Sequence, residues 1–298
     1  MVFSWIEDTL PMIFLAVLDG TVTAFVLALI ALGLSLVFGV MRIVNVSHGE
    51  FFMLGAVLSW FAYHWTADSV WGFVLALLIA PAIVGAIAVI SERYILRKVD
   101  YNPESTIVAT IGILYVIQQL TLMGFGPEAR PVEAPIYFRV SFPWFGYSGY
   151  KLLVAVMSGL CLCGVWLLLK RTKLGLYMRA TQQDHEIATT FGVPTKKIYA
   201  SVFALGGGLA ALAGVLVVPI RQADHLMGLE PLLLSFIVVI IGGLGSIRGT
   251  IIAAFLIGIS DGIISVFYEP TLAKMLATLF VVMILIIKPS GLFGGNQQ

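Results

Sequence analysis

Long apolar runs recur along the whole chain, and they limit its possible folds more than any other feature does. A bilayer hydrocarbon core of about 30 Å is crossed by roughly 20 apolar residues in a helix. Runs near that length lie at about 20–40, 49–65, 70–91, 104–123, 150–169, 199–218, 231–246, 249–268 and 271–287. They do not alternate polar and apolar residues as membrane β-strands do. The sequence therefore predicts an all-α polytopic membrane protein.

The low charge of the chain supports this prediction. Only 11% of the 298 residues are charged and 60% are hydrophobic, whereas soluble domains are about 25% charged. No basic patch suggests nucleic acid, so the expected surroundings are the lipid bilayer. Residues 10–18 are too short to span alone, and form either an interfacial segment or an extension of the first helix. We expect eight to ten membrane helices, with the short ones broken or re-entrant.

Lysine and arginine positions predict the orientation, because cytoplasmic loops are enriched in both. Alternate connections hold twelve such residues in one set and four in the other, with Lys274 inside a helix. This count predicts that the 170–198 loop and the C-terminus are cytoplasmic. The loop at 124–149 is then external, and its prolines and aromatic residues suggest an ordered lid or hairpin. The N-terminus is outside if nine segments span.

The first polar interruption lies at 39–55 and joins the first two runs. Ser47 and Glu50 have the spacing of a capping box, in which each side chain satisfies a backbone N–H at the start of a helix. The alternative is functional: a helix broken beside a translocation path offers N–H groups and a positive dipole end to an anion. Candidate residues of such a path are Asn45, Ser47, His48 and Glu50. His48 has no second ligand at metal-binding spacing.

The second interruption, at 240–258, is rich in glycine. Gly243 and Gly245 precede Ser246, a natural N-cap, and glycines at this density allow a tight break or close helix approach. All three are further candidates for the path. The pattern is not a dinucleotide site, because no strand precedes it and no acidic residue follows at the required spacing.

The third interruption, at 170–198, is the longest polar one. From Leu174 to Phe191 it has no proline and one glycine, so we expect a helix stopped by Gly192 and Pro194. This helix is either solvated or docks onto a partner. Elsewhere, Asp261 and Lys274 interrupt consecutive runs, and they pair with each other, lie near the outer interface or line a pathway. Cys161 and Cys163 are expected to be packing residues.

Together the three interruptions resemble a known family. GLSLVFGVMRIVNVSHGEFFMLGA, RATQQDHEIATTFGVPTKKI, IIGGLGSIRGTIIAAFLIG and the terminal KPSGLFG are similar to permeases of branched-chain amino acid ABC importers of the LivH type. The resemblance implies an ABC importer permease fold, forming one transmembrane domain over 1–298. It also implies that 170–198 is the coupling loop. There Glu186, Ala188 and Gly192 match the loop's E-A-A-x3-G pattern with Ile187 in place of the first alanine. These three residues and Arg179 are the implied ATPase-coupling residues.

The same resemblance implies the partners and the location. These are a second permease of the LivM type, two ATP-binding subunits and a periplasmic binding protein, in the bacterial inner membrane. ATP and Mg²⁺ would be bound by the ATPases, since this chain lacks a G-x-x-x-x-G-K-[ST] motif; we expect no cofactor in it and no enzyme activity. Urea and short-chain amide permeases share the first motif and are the alternative. A stand-alone secondary transporter would need mid-membrane carboxylates, for which only Asp261 is a candidate.

Overall fold

The computed structural model of the chain is mostly helical. It describes residues 2–67 and 69–267, then 271, 272, 275, 276, 279, 283, 286, 288 and 291–293, with side-chain surroundings from residue 9 onward. The α-helices are α1 (Val2–Met41), α2 (His48–Trp65), α3 (Val70–Tyr94), α4 (Pro103–Phe125), α5 (Gly149–Arg171), α6 (Lys173–Gln183), α7 (His185–Thr190), α8 (Thr195–Val217), α9 (Leu229–Gly242) and α10 (Ile247–Phe267). A short 3-10 helix covers Leu96–Val99.

Within these described ranges, six helices are long and apolar enough to cross a membrane: α1, α3, α4, α5, α8 and α10. The prediction of a polytopic all-α protein is confirmed. Residues 10–18 belong to α1, so they extend the first helix. Helices α2 and α9 are not among the six and are the broken segments. The run at 271–287 lies largely outside the described residues, and so does Lys274.

Local sequence signals explain several helix ends. The Asn102 side chain accepts a hydrogen bond from the Ser105 N–H, Pro103 occupies the first helical position and Glu104 follows in the first turn of α4. Each of these choices favours a helix N-terminus. The start of α4 was therefore predictable from three consecutive residues.

The 124–149 segment contains a small hairpin, as the sequence suggested. Strands β1 (Arg139–Ser141) and β2 (Gly146–Ser148) pair antiparallel, with Val140 opposite Tyr147. Tyr147 also donates a 2.7 Å hydrogen bond to Asp19 of α1. The hairpin is thereby fixed to the bundle.

The centre of the bundle is formed by α1, α2 and α8, which approach through small residues. Gly206 of α8 and Gly33 of α1 touch backbone to backbone: a Cβ on Gly206 would lie 2.9 Å from the Gly33 carbonyl oxygen. Close approach of this kind is how helices associate in lipid, where burial of apolar surface gives no driving force. On α4 and α5, large apolar side chains such as Leu120 and Leu160 point outward, as expected for lipid-facing helices.

Loops gather at two opposite ends of the bundle. At one end, Arg130 and Ala223 exchange two backbone hydrogen bonds of 2.9 Å, which ties the 124–149 segment to the connection after α8. At the other end, Arg97 donates to the Lys196 carbonyl at 3.4 Å. Helix α5 has 23 residues and so separates the two ends by about 34 Å. We call them the hairpin end and the coupling end.

Candidate coupling and translocation site

The first break buries all four of its candidate residues. Helix α1 ends at Met41, Arg42 has a positive φ of 55° and α2 begins only at His48. Asn45, Ser47, His48 and Glu50 are all buried. This non-helical backbone lies inside protein, which is where irregular backbone is tolerated in a membrane.

The predicted capping box at this break is wrong. Ser47 precedes α2, but its hydroxyl donates to Asn45 Oδ1 at 2.7 Å and makes no capping bond within the described chain. The Ser47 N–H binds the same oxygen at 3.1 Å, so Asn45 folds a local turn that occupies the serine. Neither carboxylate oxygen of Glu50 has a hydrogen-bond partner among the described residues. Asn45 thus takes the role that spacing alone had given to Glu50.

His48 links the start of α2 to the middle of α1. Its Nε2 lies 3.0 Å from the Ile30 carbonyl oxygen, and its ring packs against Gly33, where a Cβ would come within 3.1 Å of Cε1. A side chain at position 33 would therefore displace the ring. His48 accordingly positions the broken helix against its neighbour, and no group of metal-ligating residues surrounds it within the described ranges.

Helices α2 and α9 both begin inside the bundle, and their starts touch. A Cβ placed on Gly228 would lie 2.7 Å from the carbonyl carbon of Gly49 and 3.2 Å from the Glu50 nitrogen. Helix α9 has 14 residues and is about 21 Å long, too short to cross a hydrocarbon core of about 30 Å. Two helix N-termini, with their positive dipole ends, therefore meet inside the bundle.

The second break lies at the coupling end, between α9 and α10. Gly243 and Gly245 have positive φ values of 97° and 78°, a conformation that favours glycine. The hydroxyl of Ser246 accepts a hydrogen bond of 3.2 Å from the Gly249 N–H, three residues further on. The prediction of an N-cap at Ser246 is confirmed.

The two breaks touch each other. A Cβ on Gly245 would lie 2.8 Å from the Cα of Gly39, which is in the last turn of α1. Gln182 of α6 donates through Nε2 to the Gly245 carbonyl oxygen at 3.3 Å. All three polar interruptions of the sequence therefore meet at one place. Gln182 was not among the predicted residues, because its polar neighbours gave no indication of which side chain points inward.

The 170–198 segment contains two helices, so the expectation of a single helix from Leu174 to Phe191 is wrong. Asp184 ends α6 and its carboxylate accepts from the Ile187 N–H at 2.9 Å, which starts α7. Aspartate is a strong N-cap and competes with continuation of a helix. Gly192, with a φ of 83°, follows α7, in agreement with its predicted role as a stop.

The predicted coupling residues differ in surroundings. Arg179 donates to the Leu169 carbonyl and thereby ties α6 to α5. Ala188 is buried, whereas Glu186 and Gly192 are exposed, and no described atom lies within 4 Å of a Cβ built on Gly192. The segment also exposes a large apolar side chain: Phe191 is 83% exposed.

A chain of aromatic contacts connects α7 to the ends of α3 and α4. His185 stacks on Tyr199 of α8 with ring centroids 5.5 Å apart, and Tyr199 meets the edge of Tyr101 at 4.8 Å. The Tyr101 hydroxyl donates to the buried carboxylate of Glu92 at 2.5 Å, and Arg97 pairs with the same carboxylate. Burial, together with the hydrogen bond to Glu92, raises the pKa of the Tyr101 phenol, so it remains a donor at neutral pH.

A cavity of about 390 Å³ opens at the hairpin end; we call it the outer cavity. Its apolar wall includes Val26 and Ile30 of α1, Phe52 of α2 and Leu234 of α9. The charged residues that line it within the described part of the chain are Asp19, Lys151, Arg221, Glu230 and Asp261. Asp261 thus lies with other charged residues at the hairpin end of the bundle. A larger cavity of about 690 Å³ between α2, α3 and α4 has no charged side chain among the described residues that line it.

Comparison with known proteins identifies the architecture. The chain is 24% identical to the high-affinity branched-chain amino acid transport system permease protein LivH of Escherichia coli K12, over 93% of this chain and 94% of that protein. A probable branched-chain amino acid transport permease protein LivH of Methanocaldococcus jannaschii is 25% identical over 93% of this chain and 92% of its own length. The solved structure of PsaBC from Streptococcus pneumoniae in complex with Fab has a TM-score of 0.51 at 13% identity, covering 92% of both chains.

The family assignment follows from a match to nearly the whole chain. Residues 16–287 match the family described as branched-chain amino acid transport system, permease component. This range includes both helix breaks, the predicted coupling segment at 170–198 and the helices that line the outer cavity. The chain belongs to the branched-chain amino acid permease family of ABC transporters and is a multi-pass membrane protein.

Proposed function

We propose that the chain is the permease subunit of an importer that moves branched-chain or related aliphatic amino acids into the cytoplasm. In this proposal it pairs with a second, LivM-type permease in the bacterial inner membrane, and two ATPase subunits bind ATP and Mg²⁺. A periplasmic binding protein delivers the amino acid at the hairpin end. The coupling end, with the C-terminus, faces the cytoplasm. Family membership and the names of the relatives support the substrate class.

The observation that carries this proposal is the apolar surface of the coupling segment. Phe191 is 83% exposed and Ile187 56% exposed, and both belong to the longest polar interruption of the sequence. A lipid-facing position does not suit a segment flanked by Lys173, Lys196 and Lys197. Apolar side chains that are exposed within a polar rim mark protein interaction sites, and an ATPase cleft is the partner that the family implies.

The contacts behind this surface support a route for coupling. Gln182 joins α6 to Gly245 in the second break, and Gly245 packs on Gly39 at the first. A displacement of α6 would therefore move both breaks. His185 and Tyr199 connect α7 to α3 and α4 in the same way. We infer that ATP binding draws the coupling segments of the two permeases together and that the broken helices then change the side to which the path opens.

Reconstitution of the complete assembly in liposomes tests the function. We expect ATP-dependent uptake of L-leucine that requires the binding protein, and no uptake by the permeases alone under a proton or sodium gradient. Gradient-driven uptake without ATPases would instead show a secondary transporter. Uptake of urea or acetamide in preference to leucine would overturn the substrate class and leave the ABC mechanism intact.

Variants of Phe191 test the docking surface separately. Phe191→Ala removes the exposed ring without disturbing buried contacts, so the permease should insert normally but recover less ATPase in a pull-down. Phe191→Leu retains most of the apolar surface and should restore much of the recovery. Equal ATPase recovery and equal stimulated ATP hydrolysis for wild type and Phe191→Ala would refute the assignment.

A further inference from the structure

A long apolar groove on the side of the bundle takes no part in the proposed transport route. It is the cavity of about 690 Å³ between α2, α3 and α4, and we call it the lateral groove. Val116 and Leu120 of α4 line it and are 59% and 63% exposed, so the groove is open to the surroundings of the bundle. Within the described ranges its lining is apolar apart from Ser91 and Thr121. Such a lining suits hydrocarbon, which is as apolar as a leucine side chain.

The dimensions of the lateral groove fit hydrocarbon chains better than a helix. Its lining runs along α4 from Ala109 to Phe125, a length of about 24 Å. A volume of about 690 Å³ over this length gives a mean cross-section of about 29 Å². A helix is about 10–12 Å across with its side chains and therefore needs about 80–110 Å². The groove thus admits extended acyl chains, whereas a membrane helix could place only side chains in it.

Two glycines of α4 leave part of the groove open. Gly112 and Gly124 both line it, and no described atom lies within 4 Å of a Cβ built on either residue. They are about 18 Å apart along the helix. This distance is close to the depth of one leaflet, about 15 Å in a hydrocarbon core of about 30 Å. The open stretch between them therefore has the length of one lipid chain.

A cation lies at the hairpin end of the lateral groove. The guanidinium carbon of Arg130 is 4.5 Å from the ring centroid of Trp60 and 4.8 Å from that of Phe125, and Phe125 lines the groove. Within the described ranges this guanidinium makes no ion pair. The carboxylates of the same loop, Glu128 and Glu133, are exposed. Arg130 therefore keeps its positive charge and its donors available at the mouth of an apolar groove.

Exposed tryptophans indicate that this cation lies at the depth of the lipid headgroups. Trp65 ends α2 and is 85% exposed, and Trp71 in the first turn of α3 is 75% exposed. Tryptophan is enriched where a bilayer meets water. Trp60, on which Arg130 stacks, is only about 7.5 Å from Trp65 along α2. The guanidinium thus lies near the level of phosphate groups, with the apolar groove extending from it into the membrane.

We propose that the lateral groove binds an anionic phospholipid, phosphatidylglycerol, from the leaflet at the hairpin end. Its phosphate pairs with Arg130, and one acyl chain lies along α4 from Gly124 to Gly112. Arginine matches a phosphate in geometry as well as in charge. Phosphatidylethanolamine carries an ammonium group beside its phosphate, which Arg130 repels, so it binds more weakly. This inference requires only that the chain spans a membrane and does not depend on the transported substrate.

The bound lipid stabilises the position of α4, and α4 completes the first helix break. The acyl chain fills the space between α3 and α4, where the two helices do not pack directly on each other. Thr110, on α4, accepts a hydrogen bond of 3.2 Å from the Val46 N–H in the break. A lipid that holds α4 in place therefore also stabilises the break. We expect phosphatidylglycerol to raise the thermal midpoint of the whole chain.

The thermal midpoint of the purified full chain in mixed micelles tests the headgroup. Phosphatidylglycerol should raise the midpoint at lower concentrations than phosphatidylethanolamine with the same acyl chains. Arg130→Gln should raise the phosphatidylglycerol concentration for the half-maximal shift about tenfold, because a charged hydrogen bond is lost. Arg130→Lys keeps the charge and should raise it less. Arg139→Gln removes an exposed cation of the hairpin, outside the groove, and should leave this concentration unchanged.

Filling the groove tests the position of the acyl chain. Gly112→Leu places a side chain in open space, so the chain should fold normally and lose its response to phosphatidylglycerol. Gly164→Leu is the matched control, because Gly164 lies inside α5, is exposed and also has no described atom within 4 Å of a Cβ. It does not line the groove and should retain the full response. Size-exclusion chromatography reports whether each variant is folded and monodisperse.

The outcomes distinguish a lipid from other occupants. Loss of the phosphatidylglycerol response in Gly112→Leu, its retention in Gly164→Leu and a weaker response in Arg130→Gln support the proposal. Equal responses of the wild type to the two lipids overturn it, and so does an unchanged response in either Gly112→Leu or Arg130→Gln. A wild-type dimer that Gly112→Leu converts into a monomer would show that a second copy of the chain occupies the groove, which also overturns it.

Discussion

Two glycines with positive φ provide a sharp test of the junction between the helix breaks. Gly245 and Gly192 have φ values of 78° and 83°, so alanine at either position incurs the backbone cost of the left-handed region, about 1–2 kcal/mol. The two positions differ in the room that is available for a side chain. A Cβ on Gly192 meets no described atom within 4 Å, whereas one on Gly245 would lie 2.8 Å from the Gly39 Cα.

The additional cost at Gly245 follows from that distance. Backbone atoms cannot rotate away, so α1 and the second break must separate by several tenths of an ångström. Overpacking of this kind costs about 1–3 kcal/mol. We therefore expect Gly245→Ala to destabilise the protein by about 2–5 kcal/mol in total, and Gly192→Ala by only the backbone part.

The assay is the thermal midpoint of the purified chain in detergent, followed by size-exclusion chromatography of heated samples. Gly245→Ala should melt well below Gly192→Ala, and it should also reduce the leucine transported per ATP, because the displaced break contacts Gln182. Equal midpoints for the two variants would refute the close packing of Gly39 on Gly245. A lower midpoint with unchanged transport would refute the role of this contact in coupling.

Further predictions concern single contacts. Gln182→Ala removes one neutral hydrogen bond, at 3.3 Å, worth about 1 kcal/mol. It should reduce leucine uptake per ATP and leave ATPase recovery unchanged. Gln183→Ala, at the exposed neighbouring position, should leave both quantities unchanged. Tyr101→Phe removes the 2.5 Å bond to the buried Glu92 and should destabilise the chain by about 1–3 kcal/mol, as measured by the thermal midpoint, with Tyr137→Phe as the exposed control. Glu50→Gln replaces a buried carboxylate whose oxygens have no hydrogen-bond partner among the described residues. Because a buried charge without partners is unfavourable, the thermal midpoint should be unchanged or higher. A clear decrease in the midpoint would contradict the surroundings described for Glu50.

The helices were predictable from the sequence because their signals are local. A run of apolar residues, an Asn-Pro-Glu start at Asn102 and a glycine stop at Gly192 each act within a few residues of the chain. The serine cap at Ser246 is of the same kind. The grouping of lysines and arginines also predicted which loops share an end of the bundle, since α5 and α8 separate the hairpin from the coupling segment.

The errors arose where a nearby residue competed for the same donor. Ser47 and Glu50 have capping-box spacing, but Asn45 lies two residues before Ser47 and takes its hydroxyl at 2.7 Å. Asp184 likewise starts a new helix inside what reads as one continuous pattern. Both competitors are Asx residues, whose short side chains bind nearby backbone groups in preference to continuing a helix.

The long-range parts of the site had no sequence signal at all. Gln182 and Gly245 are 63 residues apart, and Gly49 meets Gly228 from the opposite half of the chain. The five charged residues that line the outer cavity within the described ranges come from α1, α5, the α8–α9 connection, α9 and α10. Spacing along the chain cannot bring such residues together, because only the packing of the helices does so.

The break after α1 also constrains the order in which the membrane part can be assembled. Its Val46 N–H is satisfied by Thr110 Oγ1 of α4, at 3.2 Å and 64 residues further along the chain, and its other neighbours, Gly228 and Gly245, are synthesised later still. A backbone without partners is not tolerated in lipid, and in the break it is Thr110 that satisfies the Val46 N–H. We therefore expect the break to reach its final place in the membrane only after α4 and α9 have been made.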